Sequence, residues 1–154
     1  MAYLDIIPLS DAKVYLRIDD DLTEDDNQIT RMINASLSYI ERYTNVILYD
    51  RDKEYRLING CVRVYDYPVN SEVTPDLEVE NKTLYNNYSL GTTNDLIELN
   101  VGFVNVADIP QELIEVAYEI IELMYYEKET NKSHLNSLSS LSKMILDQNK
   151  RFIL

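Results

Sequence analysis

Five apolar residues at helical spacing, Leu113, Ala117, Ile120, Ile121 and Met124, constrain this chain more than any other feature. They fall at i, i+4, i+7, i+8 and i+11, which is one face of an α-helix. Glu112, Glu115, Glu119 and Glu122 keep the same period on another face, within an arc of about 80°. Pro110 suits a first helical turn, where its missing N–H is no loss, and Asp108 with Gln111 has the spacing of a capping box. The pattern predicts a helix over about 110–129 that buries one stripe and turns an acidic stripe to another side. A stripe of that length needs a partner.

The partner is predicted at about 24–43, where Ile29, Met32, Ile33, Leu37 and Ile40 share a face and Ala35 and Ser36 permit close approach. Thr23 is its expected cap and Thr44-Asn45 its end. Burying each Leu or Ile is worth about 1.5–3 kcal/mol, so this pair of stripes dominates the folding energy. A shorter helix is expected over about 11–17, capped by Ser10 and stapled by Leu9 against Val14. Between them, Asp19 to Asp26 holds six acids in eight residues, including Asp19, Asp20 and Asp21. A calcium loop fails on spacing. The twelfth position from Asp19 is Thr30, and no glycine makes the turn. Carboxylates at the start of a helix, favoured by its dipole, account for the run.

A β-rich insert is expected over about 46–106. Lys53–Ile58 and Cys61–Asp66 flank Asn59-Gly60, a strong hairpin signal. Leu77–Glu80, Thr83–Tyr88 and Leu96–Phe103 read as further strands, with Gly91 to Asn94 as a loop and Tyr67-Pro68 breaking the preceding run. The last strand alternates Ile97, Leu99 and Val101 with Glu98 and Asn100, giving one apolar face. The fold class is therefore α+β, mainly α. It has two long packed helices, a short N-terminal helix, a small antiparallel insert between the long helices, and a C-terminal tail or short helix.

The 154 residues suffice for a core without staples, and the division expected is a body over 1–130 and a tail over 131–154. The formal net charge of −13 argues against a surface that grips nucleic acid, which needs clustered Lys and Arg. The charge is uneven, with a net −16 over 1–130 against +3 over 131–154. No apolar run approaches the ~20 residues of a membrane span, so no membrane association is expected. Cys61 is the sole cysteine and reads as a half-buried filler. His134, the sole histidine, lies in a polar stretch and reads as a surface residue rather than a general base. With three glycines in all, phosphate-cradling loops are absent, and no catalytic residues, metal site or cofactor are expected. Thirteen tyrosines supply rings with polar tips, suited to wet interfaces.

Past Thr130 the character changes. Leu138, Leu141 and Ile145 can share a face of a short helix, and the chain ends on Lys150-Arg151-Phe152-Ile153-Leu154. A basic, apolar terminus of this kind is expected to dock on a partner, with its own body as the alternative.

The order of these signals resembles the tailed-phage head–tail connector family, also called adaptor or head-completion proteins. The resembling blocks are Leu16-Arg17, the acidic run Asp19–Asp26, the helix ending Tyr39-Ile40-Glu41-Arg42-Tyr43, Tyr67-Pro68-Val69, Leu99 to Phe103, and Ile109-Pro110 opening a helix that ends Tyr125-Tyr126-Glu127. They span residues 9–130. The link Asn105-Val106-Ala107 is longer than the resemblance leads one to expect. The resemblance implies a structural virion protein without enzymatic activity, assembled in the bacterial host cytoplasm into a ring, typically twelve-fold, in the neck beneath the portal. Such a ring extends the DNA channel and offers a platform to the next neck or tail-completion protein, and DNA passes without specific binding. On that basis Asp19, Asp20, Asp21, Glu112, Glu115, Glu119 and Glu122 are candidates for the channel wall. Leu138, Leu141, Ile145, Lys150, Arg151, Phe152, Ile153 and Leu154 are candidates for contact with the portal or a neighbouring subunit. The competing reading, carried by net charge alone, is an acidic DNA mimic that occupies and inhibits a DNA-binding partner.

Overall fold

Helix α3 (Asp26–Thr44) is the longest apolar seam in the N-terminal half, with Ile29, Ile33, Leu37 and Ile40 fully buried. The structure is a computed structural model that describes residues 2–72, 74, 77–81, 85–90, 95–130 and 138–151, with backbone only at 72 and 127–130. Helix α4 (Gln111–Thr130) runs back along α3 and contributes Leu113, Val116, Ala117, Ile120 and Ile121 to the same core. The direction is antiparallel, since the Tyr125 hydroxyl reaches Asp25 at one end and Pro110 lies beside Val46 at the other. Helices α1 (Tyr3–Ile6) and α2 (Leu9–Leu16) close one side of the pair with Ile6, Ile7, Ala12 and Leu16. Helix α5 (Ser140–Asn149) packs on both α3 and α4 and buries Leu146.

Six short strands follow α3. β1 (Arg51–Arg56), β6 (Leu96–Val101) and β3 (Val69–Glu72) form one antiparallel sheet in the order β1-β6-β3. β2 (Cys61–Val64), β5 (Asn86–Ser89) and β4 (Glu78–Asn81) form a second, ordered β2-β5-β4. Ile97, Leu99 and Val101 from the first sheet meet Val64 and Tyr88 from the second, with Leu57 and Ile47, in a separate small core. The fold is α+β, with five α-helices and two small antiparallel sheets among the described residues.

Several local expectations need correction. Asn59 and Gly60 do adopt the two positive φ angles of a tight hairpin turn, and Ile58 and Cys61 exchange both backbone bonds across it. The pairing stops there. β1 pairs instead with β6 over six residues, from Arg51↔Val101 to Arg56↔Leu96, while β2 turns away to β5, so the turn is a corner between sheets. Cys61 is exposed rather than half-buried, because it sits at that corner. The run does break before Tyr67-Pro68, β2 ending at Val64, but a strand that was not expected, β3, begins directly after it at Val69. Ser10 is not a cap: α2 starts at Leu9 after Pro8, which leaves Val14 70% exposed and rules out the staple. Asp108 closes a 3-10 turn (Val106–Asp108), accepting from Asn105, and that turn fills the long link before α4. The expected loop Gly91 to Asn94, residues 83–84 of the expected strand Thr83–Tyr88, and His134 lie outside the described residues.

Candidate functional site

The acidic loop is organised by a lysine. Lys13 on α2 is 3% exposed, and its ammonium donates to the carbonyls of Asp20 and Leu22, both at 2.8 Å. It also lies 3.0 Å from Oδ1 of Asp26 at the start of α3. The backbone therefore wraps inward around one cation while the side chains of Asp19, Asp20 and Asp21 stay exposed. Arg17 enters the loop in the left-handed conformation, its N–H closing α2 on the Lys13 and Val14 carbonyls. The resulting negative edge is an exposed surface held by a buried charge.

The second acidic group splits. Glu112 and Glu115 are exposed, and Glu122 is half-buried. Glu119 is taken by the C-terminal segment. It accepts from the Ser139 amide at 2.6 Å, from the Ser139 hydroxyl at 3.0 Å and from the Ser142 hydroxyl. Burial alone would raise its pKa, but the hydrogen bonds from Ser142 and Ser139 win and hold it below the ordinary glutamate value. Glu115 and Glu122 face a stacked pair, Tyr15 on Tyr118, with ring centroids 4.8 Å apart. Burial, then Glu122 and Glu115, push the Tyr15 phenol upward, and Asp11 acts likewise on Tyr118.

The arm after residue 137 lies on its own body where it is described. Leu138 and Ile145 pack against the helical core, while Leu141 is 61% exposed. The Tyr43 hydroxyl donates to Asp147 at 2.6 Å, and Lys150 lies over the Tyr43 ring. The Arg151 amide donates to the Thr44 carbonyl, and Asn45 Nδ2 donates back to the Arg151 carbonyl at 2.8 Å. The Arg151 guanidinium sits 4.4 Å from the centre of the Tyr67 ring, and burial lowers its pKa. Phe152, Ile153 and Leu154 lie outside the described residues. Over residues 138–151 the segment therefore takes the alternative expected for it, docking on its own body: Glu119, Tyr43 and Thr44 satisfy its polar groups while Leu146 enters the core.

Residues that sequence reasoning left unassigned hold the two halves together. Glu41, 6% exposed, grips Arg51 through both oxygens at 3.2 and 2.8 Å. It also accepts from the Leu48 amide at 2.7 Å and the Tyr3 hydroxyl at 2.6 Å. Helix α1, helix α3, the segment after it and strand β1 therefore meet at one carboxylate. Gly102 has φ +105°, and a Cβ there would stand 2.1 Å from the Tyr49 carbonyl oxygen. Its position at i+8 from Ile33, among the core-facing residues, was the sign that Glu41 is buried.

The profile of the phage gp6-like head-tail connector proteins matches residues 6–150 of the chain. The chain belongs to that family. No curated protein matches it by sequence. Among solved structures, it is similar to a chain in the neck of an empty gene transfer agent particle computed with C6 symmetry, at a TM-score of 0.74 and 13% identity, covering 97% of this chain and 92% of that one. It is also similar to a chain in the virion of a native gene transfer agent particle (TM-score 0.72, 16% identity, 97% and 91% covered). A third likeness is to a chain in the neck of a native particle computed with C12 symmetry (TM-score 0.68, 12% identity, 97% and 91% covered). At these identities the likeness speaks for the fold. In this connector, the Tyr39–Tyr43 run contains Glu41, the carboxylate that anchors the insert, and the glycine of the Leu99–Phe103 run is the one that passes under Tyr49. Two of the runs that carried the resemblance are thus joints of the fold.

Proposed function

We propose that this connector is a structural, non-catalytic component of a virion neck, forming a ring beneath the portal that extends the DNA channel and receives the next neck or tail-completion protein. The observation that carries the reading is the family match over 6–150, and the fold-level likeness to chains of sixfold and twelvefold neck particles supports it. The surface charge supports the channel role. A wall through which DNA slides must repel phosphate, and a chain of net charge −13 does so without a binding patch. Asp19, Asp20 and Asp21 suit that wall because their side chains are exposed while Lys13 holds the loop carbonyls from inside. Glu112, Glu115 and Glu122 remain candidates, whereas Glu119 serves α5 instead.

The portal contact falls to Leu141, exposed beside Met144 on α5, and to the apolar end Phe152–Leu154, with Lys150 and Arg151 added where they leave the Tyr43 and Tyr67 rings. Leu138 and Ile145 join it only if α5 leaves its place on α3 and α4. Assembly takes place in the host cytoplasm before tails are joined. The test is a phage carrying a null allele of this gene. The reading expects filled heads and free tails to accumulate unjoined, and wild-type protein supplied in trans to restore joining. Normal yields of tailed, infectious particles from the null allele would overturn it.

A further inference from the structure

The outward face of α3 differs from the rest of the surface in charge. Arg31, Ala35, Ser38 and Arg42 recur at i, i+4, i+7 and i+11 and point away from the core. Between Asp26 and Asp50 the sole carboxylate is Glu41, which is buried on Arg51. Among the described residues, neither Arg31 nor Arg42 has an ion-pair partner. Beside them Tyr39 stacks on Tyr43 at 6.0 Å, and a groove of about 540 Å³ opens between Ala35, Ser38, Tyr39, Arg42, Tyr43 and Met124. Tyr, Arg and Met around a concave surface is the composition of an interface core.

The same chain carries the counterpart. On the outer side of α2 and α4, Val14 is 70% exposed next to the stacked Tyr15–Tyr118 pair. Asp11, Glu115 and Glu122 surround that pair. One face is concave, aromatic and basic, the Asp147 carboxylate at its edge being taken by the Tyr43 hydroxyl beside Lys150; the other is projecting, aromatic and acidic. Two unlike, complementary faces on one subunit make a head-to-tail contact, the kind that closes a ring.

We propose that the Tyr39–Arg42 groove on α3 receives the Val14–Tyr15 edge of α2 from a second copy of this chain, with Arg31 and Arg42 meeting Asp11, Glu115 and Glu122 across the joint. This rests on the ring reading and deepens it by naming the faces. It also takes Glu115 and Glu122 away from the channel, leaving Asp19–Asp21 and Glu112 as the negative lining.

The test uses particles assembled with a Val14→Cys, Ser38→Cys chain in a Cys61→Ser background, oxidised and then denatured without reductant. The expected result is a ladder of covalent multimers, with single-cysteine chains remaining monomeric. A second measurement counts incorporation into particles. Arg42→Glu is expected to reduce it about tenfold, and Arg42→Glu with Glu115→Arg to restore most of it. Chains that incorporate but give no ladder, or an Arg42→Glu chain that incorporates normally, overturn the proposed faces and leave the ring reading standing. Absence of the wild-type chain from particles overturns both.

Discussion

Glu41 and Arg51 form a two-pronged ion pair at the junction of the helical layer and the β insert, with Nη2 2.8 Å from Oε2. Burial alone would lower the arginine's pKa, but the carboxylate outweighs it and raises it. Removing one partner of a buried pair costs more than the pair contributes, because the other charge and its hydrogen bonds are stranded. Glu41→Ala is expected to destabilise the protein by about 3 kcal/mol, near the lower end for such pairs because Arg51 is partly exposed, and to lower Tm by about 6–12 °C. Glu41→Gln should cost less, since it keeps an acceptor for the Leu48 amide. Thermal melting of both variants measures this.

Gly102→Ala is expected to cost at least about 2–3 kcal/mol, from left-handed backbone strain and the clash with Tyr49. Ile47 Cγ2 also lies within 2.9 Å of the added methyl, so relaxation in either direction meets an obstacle. Urea unfolding gives the value directly, and a loss within experimental error of zero would contradict the close approach.

Lys13→Met keeps the length of the stem and removes the cation. The carbonyls of Asp20 and Leu22 then lose their donor, and Asp26 loses its counter-charge. The expected cost is about 2–3 kcal/mol. The acidic loop should also open locally, seen as faster cleavage at Glu24 by a glutamate-specific protease under native conditions.

Glu119 sets a pH dependence for the docking of α5. Its pKa is lowered in the folded chain, so its contribution is full above the unfolded value and is lost as pH falls through the folded value. Amides of α5 are therefore expected to lose hydrogen-exchange protection on acidification before α3 does. Glu119→Gln should weaken protection at neutral pH and remove that acid-dependent step. Equal protection of α5 in wild type and variant across the range would contradict the latch.

The helical layer was legible because burial follows period. Ile33 and Ile120 lie on the faces that the 3.6-residue spacing marked, and they are 0% and 4% exposed. Much of the β insert was legible as strands, but β3 (Val69–Glu72) was not expected, nor was the division into two sheets. Asn59-Gly60 specifies a turn locally, whereas the long-range register of β1 with β6 decides where β1 goes, and register is not written in one strand. Leu138 and Ile145 were marked as an apolar face, but an apolar face does not say which surface covers it. Ser139 and Ser142 carry no sign in the sequence of the Glu119 carboxylate that lies opposite them, because that contact joins residues about twenty apart through the packing of α5 on α4. Arg31 and Arg42 passed as ordinary surface charge in the sequence, and only the burial of Glu41 shows that they stand alone on their face.

Cryo-electron microscopy of intact particles at a resolution that traces side chains tests the neck assignment most directly. The account predicts a closed ring of this chain between portal and tail, its Asp19–Asp21 loops facing the DNA path and the α3 groove of each subunit filled by α2 of the next. A neck built wholly from other chains, with this protein absent from the particle, would contradict it.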